Sequence, residues 1–201
     1  MTSPTQLEER LRDVLAKWDY VRSPGEVVAL GPAALRRLLD AKEGKGSLWS
    51  TGVDPRDYME AEGAAITAFA RNDLDGVLTE MRKRGWNGCR IAQSGVGNVS
   101  DPRVASALLE LYASKSPLDR ANAVGQLGMQ RDPRATETLV RALSDRSSDV
   151  QYTAVRSLGE AGNPSAIEPL KDFAKRTTKD WMAAEVRSAI AKIRKAARSR
   201  R

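Results

Sequence analysis

Histidine is absent from all 201 residues, and cysteine occurs once, at Cys89. The first absence removes the usual general base, the Ser–His and Cys–His nucleophile pairs and the commonest transition-metal ligand together. The second excludes an intramolecular disulfide and any multi-thiolate zinc site, and it suits a reducing compartment. Aromatic residues make up only 5% of the chain, so Ala and Leu carry most of the apolar load. That balance favours helices over sheets, and no sheet is expected. No apolar run approaches 18 residues, and the opening MTSPTQLEERLRDVLAKW has no uninterrupted apolar core. Neither a membrane span nor a secretion signal is indicated, and a cytoplasmic, monomeric protein is expected. Carboxylates remain available for chemistry, but Glu60 with Glu62 and Asp73 with Asp75 lie two apart on helical segments and do not share a face. No enzyme activity, metal or cofactor is expected.

What is present is positive charge, +7 in all. Its placement matters more than its size. The last ten residues, KIRKAARSRR, hold Lys192, Arg194, Lys195, Arg198, Arg200 and Arg201 with no acid, which leaves the other 191 residues at +1. A nearly neutral body with a basic tail from residue 194 is not a basic groove. Such a tail adds sequence-independent attraction to phosphate or to acidic protein surfaces, and as a helix end it complements the helix dipole.

Helix starts punctuate the chain. Ser3-Pro4-Thr5-Gln6 offers an N-cap, a proline at the first helical position and a capping-box partner. The helix it opens is predicted to run to about Trp18, with Leu7, Leu11, Val14, Leu15 and Trp18 on one stripe. Ser23-Pro24-Gly25-Glu26 repeats the signal with Ser23 as N-cap, Gly31-Pro32 restarts the chain, Asp54-Pro55 opens a helix with Tyr58, Ala65, Ala68 and Phe69 facing inward, and Asn72-Asp73 begins another. Residues 42–53, KEGKGSLWSTGV, form the longest stretch without periodicity and contain Trp49.

From Asp101 to Ile193 the chain repeats with a period of 31, as DPRVASALLELYASKSPLDRANAVGQLGMQR, DPRATETLVRALSDRSSDVQYTAVRSLGEAG and NPSAIEPLKDFAKRTTKDWMAAEVRSAIAKI. Each block carries two helical patterns split by a polar loop, as expected of a solenoid in which every helix pair buries its apolar face on its neighbours. Leu108, Leu139 and Leu170 form the spine of the first helices, Val150 and Trp181 begin second helices, and Val124, Val155 and Val186 continue them. Gly97, Gly128 and Gly159 recur although each costs about 1 kcal/mol in helix propensity against Ala, which implies close approach of the two helices of a pair. Ile190 replaces the glycine in the last block, as befits a terminal cap.

The run DPRATETLVRALSDRSSDVQYTAVRSLGEAGNPSAIEPL resembles the short HEAT-like repeats first named for phycobilisome lyases, and GPAALRRLLDA looks like the start of a further repeat. The resemblance covers residues 101–193 best, 70–100 less well, and 1–69 weakly, where the 42–53 insertion breaks the period. It implies an all-α fold: a right-handed α-α superhelix (HEAT-repeat solenoid) of about five helix pairs in a single domain, divided into degenerate N-terminal helices (1–69), repeats (70–193) and tail (194–201). It also implies that second helices line a concave face. Function follows only loosely, because such repeats serve bilin lyases, deoxyhypusine hydroxylase, alkylpurine DNA glycosylases, immunity proteins and plain scaffolds. The hydroxylase holds iron with His-Glu motifs, which a chain without His lacks.

Candidate contact residues are those that packing does not claim. On the second helices these are Asn122, Gln126 and Met129, then Thr153, Arg156 and Glu160, then Arg187, with Ser94 and Asn98 extending the row. Donors, acceptors and both charges suit a folded protein or an extended peptide better than a phosphate backbone. Arg82, Lys83, Arg84, Trp86 and Arg90 form a basic cluster with an interleaved Trp, a combination that serves either a protein hot spot or a phosphate and a stacked base. Trp49 is a third candidate. These residues point to a non-catalytic bacterial adaptor, scaffold or inhibitor, such as an immunity or regulatory protein, that binds another protein. The alternative is a nucleic-acid-binding protein of the glycosylase type, using the tail and the Arg82–Arg90 turn.

Overall fold

The structure, a computed structural model, describes residues 3–18, 22–42, 48, 54–85, 95–130 and 132–199. Every regular element among them is helical, and none of the helices is long and apolar enough to cross a membrane. Contacts divide the chain into two compact units, Met1–Val99 and Ser100–Arg201.

The first unit contains α1 (Pro4–Ala16), α2 (Ser23–Ala29), α3 (Pro32–Lys42), α4 (Pro55–Asn72) and α5 (Leu74–Lys83). The capping box at Ser3 forms as expected, with Ser3 Oγ accepting from the Gln6 amide and the Gln6 side chain accepting from the Ser3 amide. Ser23 differs from expectation. Arg22 already has helical dihedrals and takes the N-cap position, and Ser23 is buried at the first helical position. The long helix α4 packs on each of the other four, burying Ala61, Ala65, Ile66, Ala68 and Phe69. Asp73 both ends α4 and caps α5, its carboxylate accepting from the Gly76 amide. Ion pairs brace the unit. Glu8 joins Arg37 across α1 and α3, and that guanidinium holds the Glu8 carboxyl below its ordinary range. The Tyr58 side chain lies outside what the structure describes.

The second unit is three helix pairs in sequence: α6 (Pro102–Tyr112) with α7 (Pro117–Leu127), α8 (Pro133–Ala142) with α9 (Ser148–Ala161), and α10 (Ile167–Arg176), preceded by a single 3-10 turn, with α11 (Asp180–Ser199). The recurring Asp-Pro or Asn-Pro acts as a cap. Asp101, Asp132 and Asn163 each accept the amide hydrogen bond of the residue two positions on, while proline occupies the first helical position, where its missing N–H costs nothing. Arg103 and Arg134 reach back to the Asp101 and Asp132 carboxylates and lower both pKa values. Leu108, Leu139 and Leu170 are buried as the spine, as are Val124, Val155 and Val186; each such burial is worth about 2 kcal/mol.

The glycine column works differently from the sequence reading. A Cβ at Gly128 would stand 2.8 Å from the Cβ of Ser157, and one at Gly159 would stand 2.9 Å from the Cα of Ala189. The close approach is therefore between second helices of successive repeats, α7 with α9 and α9 with α11, and not within a pair. Second helices supply the main contacts from one repeat to the next. Gly162, at φ +65°, then turns the chain out of α9 in the left-handed region that glycine favours.

The loop ends are tied by a buried ion pair. Arg120 at the start of α7 donates from Nε and Nη2 to the two carboxylate oxygens of Asp145, both at 2.8 Å, and from Nη1 to the carbonyls of Ser114 and Lys115. Both side chains are 7% exposed. Asp145 also accepts from the Ser147 amide, and Gln151 donates to the Asp145 carbonyl. One guanidinium thus pins the α6–α7 loop to the α8–α9 loop in the next repeat.

Two expected outcomes follow. Gly159→Ala pushes a methyl against the backbone of α11 and lowers stability by about 1–3 kcal/mol, as overpacking does. Gly125→Ala, whose Cβ would meet only the Thr153 methyl at an ordinary 3.5 Å, gains up to about 1 kcal/mol in helix propensity. Thermal melts should therefore move in opposite directions for the two. Arg120→Ala should cost about 3 kcal/mol at pH 7 because it strands a buried carboxylate. Arg120 holds the Asp145 pKa down in the folded state, so the pair's contribution is complete above about pH 4 and is lost as pH falls through the lowered folded value. The gap in Tm between parent and variant should close on acidification. A gap constant from pH 7 to pH 3 would contradict this role.

Candidate interaction surface

Packing claims Val150, Ala154, Val155, Ser157, Leu158 and Gly159 of α9, which leaves Asp149, Tyr152, Thr153, Arg156 and Glu160 on the opposite stripe at helical spacing. Thr153 Oγ1 donates back to the Asp149 carbonyl at 2.8 Å and so keeps its polar atom on its own helix. Arg156 and Glu160 are each about half exposed and pair at 3.5 Å, a separation worth little in water. The Arg156 guanidinium also lies over the Tyr152 ring at 5.8 Å.

The corresponding column on α7 carries Asn122 and Gln126, both half-buried. The Gln126 Oε1 atom is buried with no hydrogen-bond partner among the described residues. Leu118, in the first turn of this helix, and Met129, two residues past its end, are large apolar side chains exposed at 44% and 57%. On α11 the column passes through exposed Arg187.

Trp181 is the feature the sequence did not reveal as a surface residue. It stands one period beyond Val150, which is fully buried, yet Trp181 is 53% exposed. Trp181 meets Tyr152 edge to face, with centroids 5.8 Å apart at 64°, and Lys179 sits over the indole at 5.6 Å. Lys179, Trp181, Tyr152 and Arg156 thus form a continuous chain of two touching rings with a cation over each, running from the residue before α11 to α9. The signal available in sequence was a bulky aromatic in the terminal copy of a column that is otherwise Asp119 and Val150.

Electrostatics separates the two units. Residues 1–99 contain 14 basic and 14 acidic residues; residues 100–201 contain 19 basic and 12 acidic, so the whole net charge of +7 belongs to the second. On α11, Arg187, Lys192, Arg194, Lys195 and Arg198 are exposed with no ion pair among the described residues, and no acid occurs between Val186 and Ser199. The basic segment from residue 194 continues α11 as helix through Ser199.

The other sequence candidates fall in the first unit. Arg82 is exposed on the last turn of α5. Arg84, half-buried, pairs with Asp40 at 2.8 Å and bridges to α3. Asn98 is exposed, whereas Trp49, Trp86, Arg90 and Ser94 lie outside the described residues. A cleft of about 930 Å³ opens in this unit, with Trp18, Val28, Met59 and Ala64 on its walls and Arg71 and Asn98 among its polar groups. Among the described residues no group of His, Cys, Asp or Glu is placed to hold a metal ion. The carboxyls of Glu8, Asp101, Asp132, Asp145 and Asp172 are each held below their ordinary range by a basic partner.

Residues 105–191 match the family profile of HEAT repeats, so the three helix pairs of the second unit are HEAT-like repeats. No curated protein matches the chain. A crystal structure of an engineered protein aligns over 94% of this chain and 96% of its own with 17% identity and a TM-score of 0.44, a likeness too loose to bear on the fold.

Proposed function

We propose that this HEAT-repeat array is a non-catalytic protein-binding scaffold, an adaptor or inhibitor, whose working surface is the free stripe of α7, α9 and α11. The observation that carries the reading is the set of large apolar side chains left half in water on those helices, Leu118, Met129 and Trp181. Packing does not require them there, and Trp181 braced by Tyr152 is the kind of rigid aromatic anchor that dominates protein interfaces. Arg156 and Lys179, each over a ring, supply the Arg and cationic rim that such surfaces combine with aromatics. Stacked helix pairs offer extended surfaces of this kind to partners.

A second reading, binding to nucleic acid, is favoured by one observation, the unpaired cations of α11. It is weaker because Asp149, Glu160 and Asp180 are exposed on the same helices and would oppose a phosphate chain.

Capture from the host lysate with the full chain as bait separates these readings. Trp181→Ala combined with Met129→Ser should leave the helical circular dichroism unchanged, since both side chains are half exposed, and should lose a protein that the parent retains. A bound protein held equally by both baits would place the interface elsewhere. Release of all bound material by nuclease would favour the second reading.

A further inference from the structure

The partner's chemistry can be narrowed, on the premise that the second-helix stripe is a protein interface. We infer that it takes an acidic, extended polypeptide segment with interspersed apolar side chains, carboxylates lying along α11 and apolar groups on Trp181 and Met129.

Charge complementarity is the first ground. Arg187, Arg194 and Arg198 occupy one face of α11 at spacings of seven and four residues, which is about 10 and 6 Å along a helix axis. An extended chain advances about 3.3 Å per residue, so carboxylates three and then two residues apart match those intervals. Nothing on the protein neutralises these cations among the described residues. Holding several like charges along one helix face is unfavourable without an opposite charge to meet them.

The rings decide between acidic polypeptide and nucleic acid. A base that stacks needs an open aromatic face, but the Tyr152 ring already carries the Arg156 guanidinium and the Trp181 ring carries the Lys179 ammonium. Stacking on either of these faces would have to displace the cation that lies over it. A carboxylate has no such conflict. It can meet the same cations where they stand, with their positions fixed by the rings beneath, while an aliphatic side chain packs on the exposed edge of Trp181 or on Met129. The neighbouring acids point the same way. Asp149 and Asp180 at the helix starts, and Glu160 further along α9, repel a backbone charged at every step, but a polypeptide can set neutral or basic residues opposite them.

The test is fluorescence anisotropy at 150 mM salt with the full-length protein and a labelled 16-residue peptide of four Glu-Glu-Leu-Ser repeats. Two controls run beside it, the same peptide with every Leu replaced by Ser and a 16-base-pair DNA duplex. The peptide should bind in the micromolar range, at least fivefold tighter than the Ser control and tighter than the duplex. Arg187→Glu with Arg194→Glu should weaken it at least tenfold, and Trp181→Ala about fivefold, with circular dichroism unchanged in both. No peptide binding up to 1 mM overturns the inference, as does an affinity indifferent to the charge reversal or tighter binding of the duplex. A captured native partner that needs Trp181 but tolerates both Arg→Glu changes would sink the acidic chemistry while leaving the interface reading in place. A partner indifferent to all of these residues would sink both.

Discussion

The close approach of consecutive second helices is the constraint on which the second unit depends. At Gly128 against Ser157 and Gly159 against Ala189, no larger side chain fits without moving a neighbouring helix. Because the helices meet there through their smallest residues, they bring their free stripes side by side, and three separate helix faces become one surface. The buried pairing of Arg120 with Asp145 then fixes the loop ends of two successive repeats. It contributes geometry more than net stability, since burying a matched ion pair roughly offsets its own attraction.

A surface built in this way is mostly committed before any partner is considered. The capping residues, the leucine spine and the valine column recur because every copy has the same packing problem. What distinguishes one repeat from another is found where that problem is relaxed, on the water-facing stripe. Trp181 is half exposed where Val150, one period earlier, is buried, and α11 carries exposed Arg187, Lys192, Arg194, Lys195 and Arg198 with no acid between Val186 and Ser199. The segment from Lys179 through α11, with Tyr152 and Arg156 beside it, therefore holds the most recognisable interface chemistry of the unit.

The sequence was most legible where a physical rule acts within a few residues. Proline after Ser3, Asp54, Asp101 and Asp132 marked helix starts that the structure reproduces, because the cap and the fixed φ of proline are local effects. The period of 31 disclosed the helix pairs from Asp101 onward. It could not say which helices the glycines bring together, since contact between helices of different repeats has no local signature. At Ser23 the sequence misled by one position: Arg22 already has helical dihedrals, so Ser23 is the first helical residue, and it is buried. Among the candidate contacts, Thr153, Arg156 and Glu160 do share one stripe of α9, and Arg187 occupies the same column on α11. The partnership of Tyr152 with Trp181 went unread because it joins residues 29 positions apart through the same inter-helix approach. In the first unit, Arg84 reads in sequence as part of a free basic cluster, and only the fold reveals its Asp40 partner.

Amide chemical-shift mapping on the 15N-labelled protein, titrated with its captured partner, tests most directly whether the free stripe of the second helices is the working surface. The account predicts perturbations concentrated at residues 118–129, 149–160 and 179–198, with the amides of α6, α8 and α10 unmoved. Perturbations confined to those first helices, or to residues 1–99, would contradict it.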